Sequence, residues 1–126
     1  MRDPAPIPAM DDFQTKLQEE ILHLYQEPVI CSGYGNTYGE ENLVNLVNKY
    51  RALDEAGMRI MLAMVVSFST STDLSTSFVS VGVMHALNQD QAVEAAYQWA
   101  RTQPEGAAIV NHFDIGCALA DHFISA

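Results

Sequence analysis

Met58-Arg59-Ile60-Met61-Leu62-Ala63-Met64-Val65-Val66-Ser67-Phe68 is followed by the polar linker Ser69-Thr70-Ser71-Thr72-Asp73. A second apolar run, Thr76-Ser77-Phe78-Val79-Ser80-Val81-Gly82-Val83-Met84-His85, comes soon after, and the fold turns on how this stretch is read. With a period of two, Ile60, Leu62, Met64, Val66 and Phe68 fall on one side and Met61, Ala63, Val65, Ser67 and Ser69 on the other. Met, Leu and Ala in the first run are also good helix formers, so the second run decides. There Val79, Val81 and Val83 alternate with Ser80, Gly82 and Met84, in a Ser/Thr/Val-rich composition of poor helix propensity. The expectation is therefore an α+β domain, with helices packed on a small antiparallel sheet containing a hairpin of residues 59–68 and 76–85. The alternative is an all-α helical bundle.

Upstream, the pattern is helical from Asp11, with Phe13, Leu17, Ile21, Leu24 and Tyr25 on one stripe and Pro28 as a stop. A second helix is announced by Thr37-Tyr38-Gly39-Glu40, which has the spacing of a capping box. Leu43, Leu46, Val47, Tyr50 and Leu53 follow at helical period, and Gly57 is placed to close this helix in a left-handed cap. Downstream, Asn88 reads as the N-cap of a third helix carrying Ala92, Val93, Ala96, Tyr97, Trp99 and Ala100. The tail reads mostly as helix, with Ala107–Val110 as a competing short strand. If that strand and one at Val29–Cys31 both formed, the order from residue 28 would be β-α-β-β-α-β, which resembles the split βαβ topology of ferredoxin-like domains.

The 126-residue length fits one domain, expected over residues 11–126 behind a flexible proline-rich leader at residues 1–10. Six Lys and Arg against sixteen Asp and Glu give a formal charge of −10. A chain so short of cations is not expected to hold nucleic acid or an anionic membrane by neutralising phosphates, whereas a basic protein surface suits it. The longest apolar run, Ile60–Val66, is far shorter than the roughly 20 residues of a membrane span. The N-terminal segment has no apolar signal core, and a cytoplasmic location is expected. Cys31 and Cys117 lack metal or redox spacing and are expected as free thiols.

The segment Ser32-Gly33-Tyr34-Gly35-Asn36-Thr37-Tyr38-Gly39 precedes a helix, as a phosphate loop would. Its GxGxxxG spacing and the carboxylates of Glu40 and Glu41 argue against that use, and no cofactor is expected. Tyr34 and Tyr38 beside Glu40 and Glu41 instead suit recognition of a basic protein, with aromatic anchors and steering charge. The histidines, His23, His85, His112 and His122, have no metal-ligand spacing, so no metal is expected. Cys117 with His112 or His122 is the one nucleophile–base combination on offer, and a buried thiol is the plainer account of Cys117. The expected function is a small acidic interaction protein of immunity, inhibitor or adaptor type that binds a basic protein, with no catalytic motif to mark an enzyme. The alternative is a small-molecule-binding or enzymatic domain using residues 32–41 and the histidine-containing tail.

Overall fold

The computed structural model describes residues 8–26 and 40–125, with side chains for 12–26 and 41–124. The described residues form α1 (Pro8–Gln26), α2 (Glu40–Ala52), α3 (Glu55–Phe68), α4 (Leu74–Ala86), α5 (Asp90–Arg101) and α6 (Gly106–Ala120), followed by a π-helical turn, Asp121–Ser125. No strand occurs among them. The all-α bundle replaces the α+β expectation: residues 59–68 lie within α3 and residues 76–85 within α4. Ala107–Val110 is part of α6, so the ferredoxin-like order is not formed either.

The misleading alternation has a physical origin. Helix α4 runs through the middle of the bundle against α2, α3, α5 and α6, and every residue from Ser77 to Met84 is buried. A helix covered on all sides needs no polar face, so it shows no period of 3.6 in its hydrophobicity. Its buried hydroxyls are satisfied by the helix itself: Ser77 donates to the Leu74 carbonyl at 3.3 Å and Ser80 to the Thr76 carbonyl at 2.9 Å. Small side chains also let a neighbour come close. A Cβ built on Gly82 would lie 2.8 Å from the Gly116 carbonyl oxygen, and one built on Gly116 would overlap the Phe78 carbonyl oxygen, so α4 and α6 meet backbone to backbone.

In α3 the buried positions are Gly57, Met61 and Val65, four residues apart, as a helix and not a strand requires. Asp54 starts this helix by accepting the Gly57 N–H on Oδ1 at 2.8 Å. Gly57 therefore stands in the first turn of α3 and does not cap the helix before it. Asn88 likewise changes role, because it ends α4. At φ 61° it takes the left-handed conformation, its N–H bonds to the His85 carbonyl, and the Gln89 N–H reaches back to the Met84 carbonyl. That pair of bonds is a Schellman closure with Asn in the usual glycine position.

The one-sided helices match their sequence pattern, except that Phe13, expected on the apolar stripe of α1, stays 44% exposed. Leu17 and Ile21 of α1, Leu43, Leu46 and Val47 of α2, and Ala96 and Ala100 of α5 enter the same core as Phe113 of α6. Asn42 ties α2 to α1 by donating to the Leu24 carbonyl at 2.8 Å. Tyr25 of α1 reaches the central helix, its hydroxyl 2.6 Å from Ser80 Oγ and its ring edge-on to Phe68 at 5.1 Å. Among the described residues no helix is long and apolar enough to cross a membrane.

Candidate protein-contact face

Of the four residues the sequence singles out for binding, Tyr34 and Tyr38 lie outside the described residues, as do the Thr37 capping position and Cys31. Glu40 opens α2, and Glu41 is half-buried in its first turn. The tail histidines go different ways. His112 Nδ1 is 2.8 Å from the Ala108 carbonyl of its own helix, and its ring leans on Phe78. The ring of His122 meets Phe123 edge-on at 4.7 Å. Cys117 Sγ has the Tyr97 hydroxyl at 3.7 Å, and among the described residues no three His, Cys, Asp or Glu side chains are grouped to hold a metal ion.

What the structure does gather is a stripe along α6 and the π-turn. Asp114, Cys117 and Asp121 follow one another at spacings of three and four residues, which puts them on one helical face. Helix α5 lays Tyr97 along that face: its hydroxyl donates to Asp114 Oδ1 at 2.7 Å and lies 3.7 Å from Cys117 Sγ. The tyrosine ring is itself held, edge-on to Phe113 at 5.5 Å, with the Arg101 guanidinium 5.9 Å from its centroid. At the end of the stripe Asp121 Oδ1 is 2.8 Å from Nε2 of His85, which stands in the last turn of α4.

Burial pushes the Tyr97 phenol far above its ordinary pKa, and its bond to the Asp114 carboxylate pushes the same way. Tyr97 thus stays a donor and keeps one Asp114 oxygen in place. Burial also raises the Cys117 thiol, with the carboxylates of Asp114 and Asp121 adding to the effect and the Tyr97 bond opposing it. A thiol held protonated is a weak nucleophile, so the stripe is poorly suited to covalent catalysis. Its chemistry is that of an acceptor surface: two exposed carboxylates, each positioned by one hydrogen bond through Oδ1.

The surrounding charge has the same sign. Residues 90–125 contain Asp90, Glu94, Glu105, Asp114 and Asp121 against one cation, Arg101. Arg101 sits by the Tyr97 ring and 4.0 Å from Glu94. The pairs Tyr97–Asp114 and His85–Asp121 join residues far apart in sequence, so no local motif announces them. The signal available was the helical spacing of Asp114, Cys117 and Asp121 inside a tail already read as mostly helix.

A second surface has different chemistry. Between α1 and α3 run two adjoining grooves of about 450 and 290 Å³ that share Gln14 and Ile60 and are walled by Phe13, Met64 and Phe68. With the fold and both surfaces in view, the class is an acidic all-helical bundle. The sequence matches no protein-family model, and no curated protein or solved structure matches it significantly.

Proposed function

We propose that this acidic helical domain is an interaction module that binds a basic protein surface through the Asp114–Cys117–Asp121 stripe, with Tyr97 as its aromatic neighbour. The observation that carries this reading is the pre-orientation of two exposed carboxylates, Asp114 by Tyr97 and Asp121 by His85, on a segment with a large excess of negative charge. Acceptors fixed before the partner arrives lose little side-chain freedom on binding, and their shared field speeds encounter with a cationic patch. Glu40 and Glu41 at the start of α2, with Tyr34 and Tyr38 preceding them in sequence, belong to the same proposal as a second aromatic and acidic contact. The helix dipole there tolerates both carboxylates.

The experiment is affinity capture from native lysate with the full chain and with Asp114→Asn/Asp121→Asn as parallel baits. A basic protein retained by the native chain, released by moderate salt and missing from the double variant supports the reading. The same captured set on both baits overturns it.

A further inference from the structure

On the reading of Asp114 and Asp121 as the contact face for a basic partner, we infer that His85 makes this face proton-sensitive. Partner binding weakens as pH falls through the range in which imidazoles titrate, above the range of carboxylates. The device is the pair His85–Asp121. Nε2 of His85, in the last turn of α4, lies 2.8 Å from Oδ1 of Asp121, the first residue of the π-turn and 36 positions further along the chain. A carboxylate oxygen accepts, so Nε2 carries a hydrogen in this bond whether the ring is neutral or cationic. Protonation at Nδ1 therefore leaves Asp121 where it is. What changes is the charge beside it.

With His85 neutral, Asp114 and Asp121 present two negative charges to a cationic partner. With His85 protonated, the imidazolium offsets the charge of Asp121 and meets an incoming cation as a like charge. The fold tolerates the charged ring, which stands at the C-terminal end of α4 where the helix dipole favours a cation. Its side chain keeps 35% of its surface in solvent, so a proton reaches it without unfolding. The neighbouring elements bring other charged groups. The π-turn adds His122 next to Asp121, its ring against Phe123. Helix α6 adds Asp114, held by Tyr97 of α5, Cys117, kept protonated by burial, and His112, bonded to the Ala108 carbonyl. Asp90 opens α5. Helix α2 begins with Glu40 and Glu41 and ends with Arg51 and with Lys49, which is engaged by Glu20, while Arg59 of α3 lies near Glu55. By residue type, His112 and His122 are the members of this set that titrate in the same range as His85, and they supply the control.

The test is calorimetric titration of the full chain with a terminally blocked arginine peptide at about pH 5.5 and about pH 8, at equal low salt. The native chain should bind about threefold more weakly at the lower pH, the effect of one exposed charge pair. His85→Gln keeps a donor for Asp121 and cannot become charged. With native helicity confirmed by circular dichroism, it should bind equally at both pH values, whereas His112→Gln/His122→Gln should retain the native pH dependence. By reciprocity, bound peptide should lower the midpoint of the His85 ring titration followed by NMR. Equal native affinity at both pH values, or a pH dependence that survives in His85→Gln, overturns the inference and leaves the acidic stripe standing. A peptide that fails to bind the native chain at the higher pH, or binds Asp114→Asn/Asp121→Asn equally well, overturns the stripe and the inference with it.

Discussion

Gly82 and Gly116 hold α4 and α6 in backbone contact, with no room for a Cβ on either. Gly116→Ala should therefore force the two helices apart at the centre of the core, where the obstacle is the Phe78 carbonyl and not a side chain that can rotate away. The expected cost is about 1–3 kcal/mol, as for other overpacked sites. Gly82→Ala should cost a similar amount, and the double variant less than the sum, since helices already forced apart by one Cβ leave more room for the other. Urea unfolding monitored by circular dichroism measures this as a lowered midpoint with an unchanged slope.

The bond between Tyr25 and Ser80 predicts an asymmetry. In Tyr25→Phe, Ser80 keeps its bond to the Thr76 carbonyl, and the expected loss is about 1 kcal/mol. In Ser80→Ala the phenol hydroxyl is left inside the bundle without this partner, and the loss should be about 1–3 kcal/mol. Chemical denaturation of the two variants side by side ranks them.

The same tyrosine gives stability a pH dependence. Burial raises the Tyr25 pKa above its ordinary value of 10.0, with the Ser80 bond opposing the shift. Below pH 10 the phenol is protonated in both folded and unfolded chains. Above it the unfolded chain releases the proton while the folded one retains it, so stability falls as pH rises beyond 10. Tyr97 is shifted in the same direction and contributes to the same slope, so Tyr25→Phe should reduce the alkaline loss without abolishing it, which denaturation midpoints on either side of pH 10 will show.

Asn88 closes α4 at φ 61°. Asn88→Gly should be neutral to within a few tenths of a kcal/mol, roughly, because glycine adopts this conformation freely. Asn88→Ala should cost about 1 kcal/mol, for the Cβ then meets the left-handed backbone without a compensating polar group. Thermal unfolding of the two variants distinguishes them.

Helices with one buried side were legible in the sequence. Leu17 and Ile21, Leu43, Leu46 and Val47, and Ala96 and Ala100 recur at helical spacing and enter the core. The central helix was not, because periodicity reports a difference between two faces and α4 has none: Ser80, Val81, Gly82 and Val83 are all buried. Its serines read as strand or loop residues until their hydroxyls are seen bonding to carbonyls in their own helix. Asn88 and Gly57 show the same limit at helix ends, where one residue type serves as the cap of one helix or the opening of the next. The acidic stripe is not legible as a unit in the sequence because it exists only once α5 and α4 bring Tyr97 and His85 alongside α6.

The proposed partner face is built on Asp114 and Asp121, positioned by Tyr97 and His85. Titration of the isotope-labelled full chain with a short arginine peptide, followed by amide chemical shifts, tests this most directly. Perturbations are expected to concentrate at His85, Tyr97, Asp114, Cys117 and Asp121. They should diminish as salt is added and vanish in Asp114→Asn/Asp121→Asn. Shifts centred on the carboxylates of α1, or an unchanged pattern in the double variant, would contradict it.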